Sequence, residues 1–263
     1  MERRIRWRPT STANWSVCCL DAGSGSAGSG SAGSGPVLAD IDGDRVLSTA
    51  SVGKILILLE AARQLADGRA TPDVRLARDG VAPVADSGLW QHLDVPDLSI
   101  GDAARLVGAV SDNLAANVLI HHLGLEVIQR GARQLGVGTV ALHDYVRTER
   151  TPDVPPMLSS GSARDWARLM VRLGSGELTS HDADAQVLAW LALSHDLTMV
   201  PASFLLDPLS HAHGSSAVWD LPTASELSTV SVINKTGTDE GVRADVGLVR
   251  GRAGFVAYAC LAD

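Results

Sequence analysis

The residues best suited to chemistry are Ser51 and Lys54, in Ser51-Val52-Gly53-Lys54 at the head of the apolar run Ile55-Leu56-Ile57-Leu58-Leu59. A serine hydroxyl attacks a carbonyl carbon only when a neighbouring base takes its proton. Lysine can be that base where burial or a second cation holds it partly neutral. A helix starting at Thr49 or Ala50 would put both side chains on one face, one turn apart. The first-turn N–H groups and the positive helix end would then favour the anion that develops in acyl transfer. Taken alone, the pair fits a surface serine beside a solvated lysine equally well.

Two more stretches change the balance. Ser111-Asp112-Asn113 lies 60 residues after Ser51, between two helix-like segments, and Lys235-Thr236-Gly237-Thr238 follows 124 residues later, ending the strand-like run Val230-Ser231-Val232-Ile233. Singly, the first is also a helix N-cap and the second a strand-end turn. Together, in this order and at element boundaries, they form the motif set of class A beta-lactamases and penicillin-binding proteins.

The elements that must position these residues are legible from periodicity. Trp15 to Leu20 reads as a strand, Gly23 to Gly35 as a flexible Gly/Ser/Ala connection, and Val37 to Ile41 as the second arm of a long hairpin. The Ser51 helix runs to Ala66 and stops at Asp67-Gly68. Residues 71–96 read as irregular. Ser99 caps a helix through Val110; Asn113 to Leu123 and Leu125 to Leu135 form two more, parted by Gly124. A loop-rich stretch from His143 to Ser162 precedes helices at Ala163 to Leu173 and Asp182 to Ser194, and Pro201, Pro208, His211 and His213 fall in irregular chain. Val230 to Lys235, Val242 to Val249 and Gly254 to Leu261 read as strands. The fold class is therefore α+β, an antiparallel sheet built from both chain ends beside a mainly helical subdomain, with the chemistry in the cleft between. The expected organisation is a basic tail, 1–14, then one domain, 15–263, with the sheet from 15–50 and 220–263, the helices from 51–219 and the flexible segment 23–35.

At 263 residues, with 45% hydrophobic content and a net charge of −8, the chain can bury a sizeable core and has no basic field to attract nucleic acid. No secretion signal and no membrane span is apparent, so as it stands the sequence reads as cytoplasmic, although a trimmed chain would look the same. Cys18, Cys19 and Cys260 read as small buried hydrophobes without metal-ligand spacing, and no cofactor is expected.

From about Trp15 to its end the chain resembles the class A beta-lactamases within the wider group of serine beta-lactamases and DD-peptidases. The resemblance is densest at 47–60, 104–124 and 230–248; Gly88-Leu89 and Ser162-Ala163-Arg164-Asp165 are also similar to family features. It implies that Ser51 is acylated, that Lys54 is the base or relay, and that Ser111 passes the proton to the leaving nitrogen. It further implies that Asn113 holds the substrate's acylamino carbonyl, and that Lys235, Thr236 and Thr238 bind its carboxylate beside Gly237. The oxyanion hole would be the N–H groups of Ser51 and Thr238. Arg243 is a candidate extra cation, to be weighed against neutralisation by Asp245, and Trp90 is a candidate cleft wall or a core residue.

The chain also departs from that pattern. The family's deacylating glutamate sits in an Arg-x-Glu-Pro-x-x-Asn context. Arg147-Thr148-Glu149 keeps the Arg-x-Glu spacing without the proline or asparagine, whereas counting back from the Ser162-Ala163 helix start puts Val146 there. Glu149 is thus a candidate base or a solvated charge, with His143 and Asp144 as second choices. The family's terminal helices have no counterpart here, so one sheet face would lack its cover, suggesting a second copy of the chain, another subunit or a truncated product. The leading expectation is a serine hydrolase that opens a small beta-lactam through an acyl-enzyme on Ser51. The alternatives are a penicillin-binding-type amidase or esterase that deacylates poorly, and an inactive binding protein.

Overall fold

The structure, a computed structural model, describes residues 12–23, 35–206, 230–251 and 254–263. The tail to residue 11, the interior of the Gly/Ser segment, Pro208, His211 and His213 lie outside the described residues.

In chain order, β1 (Trp15–Gly23) and β2 (Val37–Ile41) pair antiparallel, as the hairpin pattern predicts. β3 (Val46–Ser48) then leads through a short 3₁₀ turn, Ala50–Gly53, into α1 (Lys54–Ala66). The stretch read as irregular carries a small antiparallel pair, β4 (Arg75–Ala77) with β5 (Asp97–Ser99). Next come α2 (Ile100–Val110), α3 (Asn113–Leu123) and α4 (Leu125–Gln134), with Gly124 at φ +87° breaking the last two apart. Ser99 caps α2 by accepting from the Asp102 N–H at 3.0 Å.

The loop-rich stretch likewise holds strands, β6 (Ala141–Leu142) and β7 (Ser159–Ser162), and β7 lies between β3 and β6. α5 (Ala163–Gly174) and α6 (His181–Leu191) complete the helices, and β8 (Ser231–Asp239), β9 (Val242–Gly251) and β10 (Gly254–Ala262) complete the main sheet. These missed pieces are two to four residues long, too short for an alternating pattern to be visible.

The five-stranded sheet runs β2-β1-β10-β9-β8, so strands from the two ends of the chain are neighbours at its centre. Its inner face, including Cys18, Leu20, Ile233, Val246, Leu248, Ala257, Ala259 and Leu261, belongs to one continuous core with Trp166 of α5. α1 is buried from Lys54 through Ala62 and touches α2, α3, α4 and α6. A helix apolar on every side belongs in the centre of a fold, which makes α1 the axle of the helical half. Part of the outer sheet face is met by the 3₁₀ turn Val200–Phe204, whose first N–H donates to Asp245 at 2.9 Å. Among the described residues no helix is long and apolar enough to cross a membrane.

Candidate active site

Ser51 does not sit in the α-helix that its spacing suggests. It lies in the 3₁₀ turn just before α1. The turn is strained: Ala50, immediately before Ser51, has φ +43°, a region that alanine rarely occupies. Buried Ser159 on β7 holds it there. Its hydroxyl donates to the Ala50 carbonyl at 2.6 Å and lies 2.7 Å from the Thr49 hydroxyl, while its own carbonyl accepts from the Thr49 N–H at 3.0 Å.

Lys54, the first residue of α1, is fully buried. Its ammonium group faces the Ser111 carbonyl at 2.6 Å, the Ser111 hydroxyl at 3.1 Å and Asn113 Oδ1 at 2.7 Å. Lys235, also buried, donates to the same Ser111 hydroxyl at 2.9 Å and to the Thr236 carbonyl at 2.8 Å. The serine on which the two lysines converge is therefore Ser111, itself left-handed at φ +56° at the end of α2. Burial, then the nearby Lys235 charge, hold Lys54 well below the ordinary lysine range. Burial brings Lys235 down to about 8, against the opposing pull of Asp196 and Asp245. A neutral Lys54 amine keeps two donors and gains a lone pair, the state a proton acceptor needs.

Asp112 holds the second motif in place. Completely buried, it accepts from the Leu89 and Trp90 N–H groups at 2.7 and 2.9 Å and caps α3 through the Ala115 N–H at 2.9 Å. The third motif approaches through Gly237. A Cβ there would stand 2.2 Å from the Thr49 carbonyl oxygen and 3.0 Å from the Ser51 nitrogen, so β8 can lie against the nucleophile turn only because this residue is glycine. Gly237→Ala is expected to push β8 away and slow any reaction at Ser51 by about a hundredfold, on the scale of losing one oxyanion donor. Single-turnover kinetics with an unchanged circular dichroism spectrum would check it.

The resulting cleft, about 370 Å³, is lined by Ser51, Ser111, Lys235, Thr236 and Thr238 together with Ser87, Val110, Ser194, His195 and Asp196. Trp90, Arg243, Glu149 and Asn113 are expected site residues that do not line it. Trp90 is fully buried core, its ring N–H donating to the Val95 carbonyl at 3.0 Å, and it forms no wall of the cleft. Arg243, the second residue of β9 and the pairing partner of Thr238, is exposed, and its guanidinium turns to the carbonyls of Asp239 and Val242 at 2.9 and 2.7 Å. Nor does it meet Asp245, which is buried and accepts from Asn234, Tyr258 and Val200.

Glu149 is exposed and lines a different cavity, of about 470 Å³, with Val81, Pro83, His121 and Tyr145. Of the second-choice bases, Asp144 is tied up by Arg147 and Arg150 at 2.6 and 3.0 Å, and His143 Nε2 lies 2.8 Å from the Ser160 hydroxyl. The backbone of Val146 is clamped from both sides by Asn117, whose Oδ1 accepts and Nδ2 donates at 2.8 Å. Asn113 is buried, its Oδ1 accepting from Lys54 at 2.7 Å and its Nδ2 donating to the Ala85 carbonyl at 2.9 Å, so its amide is engaged within the protein and not turned to a substrate carbonyl.

Sequence reading missed Ser159, Asn117 and Asp196. Asn117 had a signal, standing one turn after Asn113 on the same helix face. Ser159 and Asp196 had none, since each acts on a residue more than 30 positions away. Among the described residues no group of three or more His, Cys, Asp or Glu is placed to hold a metal.

The profile of the beta-lactamase enzyme family matches residues 22–263. No curated protein matches the chain. Among solved structures, a beta-lactamase from Sphaerobacter thermophilus is 21% identical with a TM-score of 0.76, over 96% of this chain and 83% of that one. A leucine-to-glutamate mutant of PBP-A, solved as an acyl-enzyme with penicillin G, is 21% identical with a TM-score of 0.72, over 97% and 83%. A beta-lactamase from Burkholderia vietnamiensis is 19% identical with a TM-score of 0.72, over 95% and 82%. With the sheet of both chain ends, the buried first helix and a family profile spanning nearly its whole length, this chain belongs to the beta-lactamase enzyme family.

Proposed function

We propose that the protein is a serine acyl-transfer hydrolase that opens beta-lactams and related amides or esters through an acyl-enzyme on Ser51, and that this intermediate is long-lived. The observation that carries the reading is the buried Lys54 amine, its pKa depressed by burial and by Lys235, shared between Ser111 and Asn113 and three residues after Ser51. A scaffold without chemistry has no use for two buried lysines converging on one hydroxyl, because burying each of them costs desolvation.

In the proposed step the Ser51 hydroxyl proton passes to Lys54 while the Ser51 Oγ–carbon bond forms. The oxyanion sits against the Ser51 and Thr238 N–H groups. The C–N bond then breaks as the proton reaches the leaving nitrogen through Ser111, whose hydroxyl links the two lysines.

The long lifetime follows from what the cleft lacks. Its described lining holds no glutamate, and Glu149 and Val146, the two candidate positions for the family's deacylating residue, both line the other cavity. That favours the penicillin-binding type of behaviour over rapid lactam turnover. Intact-protein mass after mixing with benzylpenicillin should show one added penicillin that persists after excess reagent is removed, and none on Ser51→Ala. An adduct lost within seconds with release of penicilloate would replace this reading with a true lactamase, and no adduct at all would overturn it.

A further inference from the structure

The half of the cleft that would receive the leaving group differs from what the family resemblance implies. That resemblance assigns Lys235, Thr236, Thr238 and a neighbouring arginine to a substrate carboxylate. Here Arg243 is directed elsewhere, and the Thr236 hydroxyl donates its one hydrogen to Asp196 Oδ2 at 2.6 Å. Asp196 lines the cleft together with Lys235 and Thr238. An anion is therefore already built into the subsite.

The surroundings fix that anion in place. The Asp196 Oδ1 atom accepts from the Thr198 hydroxyl at 2.6 Å and its N–H at 3.2 Å, and the Asp196 carbonyl accepts from Asn234 Nδ2 at 3.1 Å. On the other side, the His195 N–H donates to the Ala109 carbonyl at 3.0 Å, so the wall formed by Ser194 to Asp196 is tied to α2 as well as to β8. Although burial opposes ionisation, bonds from Thr198 and Thr236 and the Lys235 charge keep the carboxyl below its ordinary range, so it is charged at neutral pH. A carboxylate has about four acceptor positions, and the bonds to the two threonines occupy three of them. The acceptor position left unbonded among the described residues suits a donor or a cation.

We propose that Asp196 makes the leaving-group side of this cleft selective for amides or esters whose leaving group is uncharged or cationic, in place of one bearing a carboxylate. The inference rests on the acyl-transfer reading of Ser51 and names its substrate class. Benzylpenicillin still acylates, because ring strain drives the opening, but it is not the kind of substrate for which this wall is built. A carboxylate entering here meets the like charge of Asp196 and finds the Thr236 hydrogen already engaged. A cation finds an oriented partner.

The test uses three phenylacetyl thioesters that differ only in the leaving thiol: mercaptoacetate, mercaptoacetamide and thiocholine. Acylation forms the Ser51 Oγ–carbon bond, breaks the C–S bond and releases the thiol, which a disulfide chromogen reports. Each rate is divided by the thioester's own hydroxide rate and corrected with Ser51→Ala. The thiocholine ester is expected to acylate about tenfold faster than the mercaptoacetate ester, with the amide between them. In Asp196→Asn the cationic-to-anionic ratio should fall about tenfold. Because it is a ratio within one protein, it is insensitive to how much of that variant folds.

The inference is overturned if mercaptoacetate is the best leaving group in the wild type, or if Asp196→Asn leaves the ratio unchanged. It is also overturned if penicillin labels Ser51 and no thioester does. Failure of both penicillin and thioesters to label Ser51 instead removes the acyl-transfer reading on which it stands.

Discussion

Lys54→Ala is expected to acylate at Ser51 about a thousandfold more slowly than the wild type, the middle of the range for a positioned general base. The fold should survive, because the vacated site faces the hydroxyl and carbonyl of Ser111 and the Asn113 amide, groups that water can satisfy. The pH profile separates this role from a structural one. A base must be neutral to accept a proton, so the wild-type rate should rise with pH through the depressed pKa of Lys54. It should fall again as Lys235 loses its proton at about 8, since the Lys235 charge supports Ser111 and the developing anion. The two lysines interact, so both limbs belong to the pair. Lys235→Arg should abolish the falling limb, because a guanidinium keeps its proton throughout. A rate that is flat in pH, or a Lys54→Ala protein that acylates normally, would remove Lys54 from the mechanism.

Asp112→Ala should destabilise the protein by about 3 to 5 kcal/mol, the cost of leaving buried donors without their charged partner. Its carboxylate accepts from the Leu89, Trp90 and Ala115 N–H groups, three backbone donors that an alanine methyl leaves unpaired. Gly88 shows how tight the fit is: a Cβ there would lie 2.5 Å from Asp112 Cγ. The melting temperature should fall by about 10 °C for a chain of this size. Asp112→Asn should fall less, because its amide oxygen can still cap α3 while its NH₂ faces N–H donors. Equal melting temperatures for wild type and alanine variant would show that the carboxylate holds nothing together.

These two residues show different degrees of legibility. Ser51, Lys54, Ser111 and Lys235 could be picked out because each stands in a short motif at the boundary of a strongly patterned element. That placement is a local property of the chain. Asp112 is part of the same motif and reads as a helix cap, which it is, but its hold on Leu89 and Trp90 joins segments more than 20 residues apart. The sequence carries no trace of that contact.

Glu149, Arg243 and Trp90 fail for a related reason. Their residue types suit the expected roles, yet type and spacing do not say which way a loop or strand end turns its side chain. Glu149 faces another cavity, Arg243 satisfies two nearby carbonyls, and Trp90 is drawn inward because an indole recovers more by burial than by lining a polar cleft. Conversely, Ser159 and Asp196 contribute to the nucleophile turn and the leaving-group wall without belonging to any motif.

Hydrophobic periodicity and motif order by themselves therefore determined that both ends of the chain build one antiparallel sheet beside a mainly helical subdomain, and singled out the serines and lysines of the three motifs. Only the tertiary structure decided that Ser51 lies in a strained 3₁₀ turn, that the two lysines converge on Ser111, and that an aspartate occupies the leaving-group side. The physical reason is range. Helix and strand patterns arise from neighbours a few residues apart, whereas the charge and shape of a cleft are set by side chains that only the packed core brings together.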